Sequence, residues 1–432
     1  MYPKAKKILI ITYYWPPSGG SGVQRWMYFA MHLKKMGYAP VVLTVSTRSA
    51  AYAKLDTTLN SLIADIETHR VRFINPLGWY SFFTKGDFFS GVPQGQVEQK
   101  SLFQKIAGWV RANLFVPDAR KGWVMPAYRK AISIIEQYDP GVIITTGPPH
   151  STHLIGCKLK DRFAIPWLAD FRDPWTDLFY LKSLPRRAFA IQKDQKLERQ
   201  VLQAADAVVT TTAKNFHQQL QKKAAKTQKF YTLYNGFDAS LFAQNDTKQK
   251  NEKFTIVFSG LLTEHQAYPE FLQSLSGFLS QNANSNSCCV LVGSIAPKMV
   301  AAFARVIATS NLGYVSHQEA IVQIRQADFL INFSFEQAGQ SSMVSGKLFE
   351  YMATGNPILN LGDPQSEAAD LLAHGAYNRC IAPTDHISQI QFLTTVYEAW
   401  RKGKPLLNDT QKISAFSRAS TAKGLIQILD GL

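Results

Sequence analysis

The chain contains 432 residues, too many for a single hydrophobic core, so we expect two domains. Its 46% apolar residues, with no low-complexity tract or internal repeat, exclude disordered, fibrous and repeat proteins. No apolar run approaches the roughly 18 residues that a membrane-spanning helix needs, and the run near the N-terminus has no signal-peptide cleavage site. The four cysteines lack metal-ligand and redox-motif spacing, so we expect a reducing cytoplasm.

The net charge of +16 is unevenly distributed. Residues 1–245 contain 33 Lys and Arg against 16 Asp and Glu, a balance of +17, whereas the remainder contains 14 against 15. No nucleic-acid module is recognisable, so nucleic acid is not expected as a partner. Basic and aromatic residues mix at 79–89 and 102–123, which favours contact with an anionic membrane surface. The alternative is that these aromatics pack in the core or in an insertion.

The first half follows a repeated strand–helix pattern. Ile8–Thr12 predicts a buried strand, Val23–Met36 a helix and Pro40–Val45 a second strand, which together form a parallel βαβ unit. Further strands are predicted at 142–146, 166–169 and 207–211, and a helix at 188–204. We therefore predict a Rossmann-like domain at 1–245, with an irregular insertion at 46–125 that carries acceptor or membrane contacts.

A glycine-rich loop, Trp15–Gly22, follows the first strand and leads into the helix that carries Arg25. Gly19 and Gly20 allow a ligand to approach the backbone closely at a helix start. The loop lacks the Gly-x-Gly-x-x-Gly spacing, and no acidic residue closes the second strand, so a dehydrogenase is not expected.

Charged side chains follow another predicted strand, in the segment Leu168–Trp175. Strand carboxyl ends face the ligand in such sheets, so Asp170, Arg172 and Asp173 are placed to bind sugar hydroxyls or to position an acceptor. The alternative is a structural Asp–Arg pair with a turn before Pro174.

His150 and His153 also follow a strand. Two histidines three residues apart, without a nearby carboxylate, are weak evidence for a metal site, and contact with substrate is favoured. The chain has no Asp-x-Asp triplet, so no metal is expected.

The polar stretch 246–253 predicts a linker between the domains. A second α/β series follows, with strands predicted at 254–258, 289–292 and 329–333. It defines a second Rossmann-like domain at 254–410, and a C-terminal helix at 411–432 is expected to pack back toward the first domain.

The segment Val344–Leu359 places Gly346 and Lys347 at a helix start and Glu350 one turn later. Free N–H groups in the first turn and the lysine charge suit phosphate oxygens, and a glutamate can accept hydrogen bonds from ribose hydroxyls. Leu348 supplies apolar surface behind this face. The alternative is an ordinary amphipathic helix with a solvated Lys–Glu pair.

This segment resembles the donor-binding motif of the retaining glycosyltransferases of family 4, the glycosyl transferase group 1 type, which carry a similar Lys-Leu-x-Glu-Tyr sequence followed by Gly-x-Pro. The segment Asp170–Trp175 is similar to a bacterial surface-polysaccharide branch of that family. The resemblance implies the GT-B fold, an α/β architecture of two Rossmann-like, doubly wound parallel-sheet domains that face an interdomain cleft.

The resemblance also implies roles for individual residues. Catalysis is expected from Asp170, Lys347 and Glu350. Donor contacts are expected from Gly19, Gly20, Gly260, Val315, Ser342, Gly346, Lys347, Leu348 and Glu350. Acceptor contacts are expected from Arg25, His150, Arg172 and Asp173. In two places the chain departs from the family: Leu261 occupies a position that is often basic, and Ser342 replaces the first of two paired glutamates.

The implied reaction transfers a sugar from a nucleotide diphosphate to an acceptor hydroxyl with retention of configuration and without a metal or other cofactor. A UDP-sugar is favoured over a GDP-sugar as donor, and a saccharide or lipid-linked saccharide as acceptor, in polysaccharide or glycolipid biosynthesis. We expect a cytoplasmic protein that contacts the inner face of the membrane peripherally. The alternatives are a nucleotide-sugar 2-epimerase and a nucleotide-binding protein that has lost catalysis.

Overall fold

A computed structural model shows two compact units, residues 1–234 with 422–432, and residues 235–421. The structure describes residues 6–50, 52, 55–74, 102–178, 181, 184–214, 216–243, 251–264, 266–282, 285–334 and 344–432. The aromatic segment 79–89, most of the predicted linker and Ser342 therefore lie outside the described residues.

The first unit contains a parallel sheet of seven strands in the order β3-β2-β1-β4-β5-β6-β7. The strands are β1 (Lys7–Ile11), β2 (Ala39–Val45), β3 (Glu67–Val71), β4 (Val142–Gly147), β5 (Trp167–Phe171), β6 (Ala207–Thr210) and β7 (Lys229–Thr232). The helices are α1 (Ser21–Lys35), α2 (Thr47–Ala50), α3 (Leu59–Leu62), α4 (Leu102–Leu114), α5 (Val124–Tyr138), α6 (His153–Lys160), α7 (Ala188–Ala204) and α8 (Phe216–Lys223). Short 3-10 helices lie at Lys121–Trp123 and His150–Thr152.

Both faces of this sheet are covered, because alternate residues of its strands enter different apolar layers. In β1, Leu9 and Ile11 belong to one buried cluster and Ile8 and Ile10 to another. The second cluster includes apolar residues from 422–432, so the end of the chain completes the core of the first unit.

The second unit contains a parallel sheet of six strands in the order β10-β9-β8-β11-β12-β13. The strands are β8 (Phe254–Leu262), β9 (Ser287–Ile295), β10 (Ala308–Gly313), β11 (Phe329–Phe333), β12 (Ile358–Leu361) and β13 (Asn378–Ile381). The helices are α9 (Tyr268–Gln281), α10 (Pro297–Ala304), α11 (His317–Gln326), α12 (Gly346–Thr354), α13 (Glu367–Leu372) and α14 (His386–Arg401), with 3-10 helices at Ala239–Leu241 and Thr410–Phe416. The last helix, α15 (Arg418–Asp430), begins in this unit and continues into the first.

Both sheets reverse their strand order beside their first strand, which is the doubly wound pattern. The predicted α/β class with two doubly wound parallel-sheet domains is therefore confirmed. Ligands of such sheets bind beyond the carboxyl ends of the strands, near this reversal. None of the described helices combines the length and hydrophobicity that crossing a bilayer requires.

Candidate functional site

In the second unit, the carboxyl ends of β8 and β9 approach each other through glycine. Gly260 lies opposite Gly293 in the parallel register, and both have positive φ, +132° and +118°. A Cβ atom on Gly293 would lie 2.2 Å from the Gly260 carbonyl oxygen, so only glycine fits there. Because Gly260 has no side chain, no side-chain atoms of this residue cover the backbone of β8 on the side where α12 approaches it.

Lys347, in the first turn of α12, lies against this bare backbone. Its Nζ lies 4.2 Å from the centroid of the Phe258 ring, and a Cβ atom on Gly260 would be only 3.0 Å from Nζ. Burial lowers the pKa of Lys347 to about 7. Within the described residues, no carboxylate forms an ion pair with this amine. A nearby anion would favour the charged form of Lys347 and form charge-assisted hydrogen bonds with it.

The start of α12 offers further donors to an anion. Ser345 is the N-cap residue, and its side chain makes no capping hydrogen bond. A Cβ atom on Gly346 would have Asn235 as its nearest neighbour at 3.9 Å, so the approach to this turn is open among the described residues. Helix N–H groups and the helix dipole favour negative charge here. Gly355 ends α12 with φ +73°.

Glu350, the other predicted residue of α12, pairs with a residue that the sequence analysis missed. Its Oε1 lies 2.8 Å from Nε2 of His317, the first residue of α11. Ser316 and Glu319 form a capping box that begins α11, and Val315 directly precedes it. The Ser-x-x-Glu spacing was the available signal for this helix start, but nothing in the sequence linked His317 to Glu350.

Tyr351 is a second missed residue, and it joins α12 to β8. Its hydroxyl accepts a hydrogen bond from the Ser259 N–H at 2.7 Å and is 3.3 Å from the Ser259 carbonyl oxygen. The ring is fully buried. Leu348, on the same helix, is also buried and packs in the interior. These contacts fix Lys347 and Glu350 relative to the end of the strand.

In the first unit, Asp170 lies at the end of β5 within a buried hydrogen-bond network. Its carboxylate accepts from Arg25 at 2.8 Å, from the Trp26 indole at 2.6 Å and from the Thr146 hydroxyl at 2.8 Å. The Arg25–Asp170 pair is almost completely buried, with side-chain exposures of 2% and 0%. The network therefore joins α1, β4 and β5, and Asp170 and Arg25 use most of their polar atoms within it.

Arg172 connects the loops that follow the strands of the first unit. Its guanidinium donates to the carbonyl oxygens of Gly22, Gly147 and Pro148. Burial raises the pKa of the neighbouring Asp173, and Arg172 opposes that rise. Arg172 thus holds the loop geometry, while Asp173 lies beside it.

His150 and His153 stack on aromatic rings next to these loops. The His150 ring is 4.9 Å from Trp175 and nearly parallel to it, and the His153 ring is 4.5 Å from Phe171. Burial lowers the pKa of both imidazoles, that of His153 to about 3, so both are neutral at physiological pH. A Cβ atom on Gly147 would lie 2.6 Å from His153 Nε2, so glycine is required where the strand passes them.

The predicted glycine loop has one open glycine. Gly20 is the N-cap of α1 with φ +92°, and a Cβ atom there would meet nothing within 4 Å. Gly19 packs beside Asp56, and a Cβ atom on Gly19 would lie 3.4 Å from the Asp56 Cβ. In the described ranges, no group of three His, Cys, Asp or Glu side chains could hold a metal ion.

No protein-family model matches this sequence, and a search of curated proteins found no match. Solved structures, however, match along the whole chain. A sucrose-phosphate synthase from Thermosynechococcus elongatus has a TM-score of 0.63 at 14% identity, covering 99% of this chain and 98% of that one. A glycosyltransferase from Rickettsia africae gives 0.59 at 13%, covering 100% and 99%. The lipopolysaccharide outer core galactosyltransferase WaaB gives 0.57 at 11%, covering 99% and 100%.

The fold is GT-B. At these identities the likeness establishes the GT-B fold and leaves the reaction to be argued from the residues. In this GT-B chain, the second unit brings Gly260, Gly346, Lys347 and Glu350 to one end of its sheet, whereas the first unit gathers Arg25, His150, Asp170 and Arg172 at the end of its own.

Proposed function

We propose that the protein is a retaining glycosyltransferase that moves a sugar from a nucleotide diphosphate to an acceptor hydroxyl without a metal ion. The observation that carries the proposal is Lys347, a desolvated amine at a helix start with no carboxylate pair among the described residues. Keeping such a lysine half-buried beside Phe258 is unfavourable for the protein alone. A bound diphosphate offsets that cost.

The donor is proposed to bind in the second unit. The phosphates would contact Lys347 and the first-turn N–H groups at Gly346, close to Gly260. Glu350, held by His317, would accept hydrogen bonds from the ribose, and Val315 would lie near the base. Ser342 is proposed to approach the sugar, and a UDP-sugar is favoured. In this mechanism the residues orient the donor and stabilise the departing phosphate electrostatically.

The acceptor is proposed to bind in the first unit, beside the loops that contain His150 and Asp173, while Gly19 and Gly20 are proposed to contact the donor. Asp170 is buried and hydrogen-bonded to Arg25, Trp26 and Thr146, which supports a positioning role for its carboxylate. Arg172 supports the same loops through three carbonyl oxygens. Polysaccharide or glycolipid biosynthesis at the cytoplasmic face of a membrane is proposed as the setting, supported by the basic charge of residues 1–245.

Calorimetric titration with UDP, GDP and ADP in EDTA tests the donor site. We expect one nucleotide to bind, and Lys347→Ala and Glu350→Ala to weaken that binding at least tenfold. Lys402→Ala and Glu398→Ala, at the far end of α14, are matched controls that should bind normally. Absence of binding by every nucleotide would refute the donor site. The anomeric configuration of the product, followed by NMR, would test retention, and turnover without an acceptor would indicate an epimerase.

A further inference from the structure

Helix α7 of the first unit separates its charges between two sides. Both of its carboxylates, Asp194 and Glu198, are buried, while Lys193, Lys196 and Arg199 are exposed. The buried carboxylates pair inward, Asp194 with Arg186 at 2.6 Å and Glu198 with Lys223 at 2.8 Å. The exposed side of α7 therefore presents positive charge without an exposed carboxylate of its own helix.

A large apolar side chain shares that exposed side. Phe189, in the first turn of α7 and four residues before Lys193, is 52% exposed. On α4, Ile106 and Trp109 are 55% and 37% exposed and lie three residues apart on one face of the helix. Exposed apolar groups that lie together mark interaction surfaces more often than singly scattered ones do.

The side chain of Asn113 connects the two helices. It accepts from the Arg187 N–H at 2.6 Å and donates to the Pro185 carbonyl oxygen at 2.8 Å, immediately before α7. Asn113 lies four and seven residues after Trp109 and Ile106, so these three side chains share one stripe of α4. The exposed residues of α4 and α7 therefore form one surface, here called the α4/α7 face: Ile106, Trp109, Phe189, Lys193, Lys196 and Arg199.

A further positive charge borders this face. Lys121 follows α4 in the chain; burial and the charge of Lys193 lower its pKa, and Asp118 opposes that fall. Lys121 therefore lies near Lys193 and adds a positive charge at the border of the α4/α7 face.

We propose that the α4/α7 face docks on an anionic lipid bilayer, with Trp109 and Phe189 entering the headgroup region and the three bases of α7 contacting lipid phosphates. This inference rests on the proposed membrane location and specifies its contact surface and lipid class. The paired apolar and basic character favours lipid over an acidic polysaccharide, because a polyanion in water offers no apolar region for the exposed Trp109 and Phe189 rings to enter. Such a contact would hold the first unit beside a membrane-borne acceptor.

Co-sedimentation of the full chain with vesicles tests this inference. Binding is compared between phosphatidylcholine vesicles with and without about one-third phosphatidylglycerol, each at low and high salt. Each basic residue near such a surface strengthens binding about fivefold, so Lys193→Gln with Lys196→Gln should weaken binding to anionic vesicles by about 25-fold. Phe189→Ser should weaken it about tenfold. Thermal melts verify that each variant is folded.

Matched controls come from exposed positions in the second unit. Lys402→Gln with Lys404→Gln, and Ile387→Ser at a residue that is 71% exposed, should leave vesicle binding unchanged. If the control variants and the α4/α7 variants lose vesicle binding equally, the protein is attracted by its overall charge and the α4/α7 face is not the contact surface. If the wild-type protein does not bind anionic vesicles, both the proposed membrane location and this inference are refuted. Retained binding by Phe189→Ser, with equal capture by dextran sulfate, would identify a polyanion site instead. None of these outcomes depends on nucleotide binding, so each can be separated from failure of the donor site.

Discussion

The Nε2 atom of His317 lies 2.8 Å from Oε1 of Glu350, although 33 residues separate them in the chain. His317 begins α11 and Glu350 lies in α12, so the contact fixes one carboxylate oxygen between two helices. The other oxygen can then accept a hydrogen bond in a defined direction. In the proposed donor site, His317 positions Glu350 for the ribose.

His317→Ala should therefore reduce discrimination at the ribose more than affinity for the phosphates. We expect the wild type to prefer its nucleotide over the 2′-deoxy or 3′-deoxy analogue by about tenfold, the scale of a hydrogen bond to a charged group. The variant should lose most of that preference, and His317→Gln should restore part of it because its amide can donate to Glu350. Competition titrations with the deoxy analogues measure this preference, and an unchanged ratio in His317→Ala would remove the positioning role.

Nucleotide affinity should fall as pH rises above about 7. The pKa of Lys347 is about 7 in the free protein, and a bound diphosphate raises it because it favours the charged amine. Binding above pH 7 therefore takes up a proton, and Kd should increase up to tenfold per pH unit until the pKa of the complex is reached. Lys347→Arg should bind with little pH dependence between 7 and 9, since a guanidinium stays charged. A wild-type Kd that does not change between pH 7 and 9 would contradict the assignment of Lys347 as a phosphate contact.

Removing the Lys347 charge should also stabilise the protein. Its folded-state pKa of about 7 is below the ordinary lysine value of 10.5, so the unfolded state binds more protons between these values and stability rises with pH across that window. At and below pH 7 the folded state carries the full cost of the buried charge. Lys347→Met should accordingly raise Tm at pH 7 and show a smaller gain at pH 10, while nucleotide binding is lost. A Tm below that of the wild type at pH 7 would argue against a buried charge.

Gly293→Ala should destabilise the second unit through two effects. The residue has φ +118°, and the new methyl group would lie 2.2 Å from the Gly260 carbonyl oxygen. Gly403→Ala is the matched control, because φ is +69° there but nothing lies within 4 Å. We expect the control to cost about 1 kcal/mol in the free energy of unfolding, and Gly293→Ala about 1–3 kcal/mol more. Urea unfolding measures both, and equal losses would show that the strands separate easily.

Asp170→Ala should destabilise the first unit by about 3–5 kcal/mol, because it leaves the buried Arg25 guanidinium without its carboxylate. Asp430→Ala breaks an exposed pair with Lys6 in the same unit and should cost less than about 1 kcal/mol. Chemical denaturation followed by tryptophan fluorescence reports on this unit, where Trp26 contacts Asp170 directly. Similar losses for the two variants would show that the Asp170 network is dispensable for folding.

The alternation of short apolar runs with helical segments predicted the doubly wound sheets, because local patterning reflects burial on both faces of each strand. The helix Ala188–Ala204 and the strand Phe329–Phe333 lie where the sequence placed them. The predicted end of β8 at Phe258 was too early, since the strand continues to Leu262. That extension depends on Gly260 pairing with Gly293, and no local pattern encodes a partner 33 residues away.

Local spacing also predicted that Lys347 and Glu350 share one helix face. The sequence did not predict their surroundings, because these depend on long-range contacts. Three contacts depend on packing between distant segments: the Lys347 amine over the Phe258 ring, His317 with the Glu350 carboxylate, and the Tyr351 hydroxyl with Ser259. The roles of the donor and acceptor residues remain predictions for the experiments above to test.

A lysine whose pKa is near 7 can also react as a nucleophile at neutral pH. Roughly half of the Lys347 side chains are uncharged at pH 7, so their amines are nucleophiles under conditions in which ordinary lysines are almost fully protonated. Brief treatment with a limiting acylating agent should therefore mark Lys347 ahead of lysines with ordinary pKa values, provided that the reagent fits beside Phe258. A bound nucleotide would shield it, so the modified fraction at this one residue would report how much of the protein is occupied.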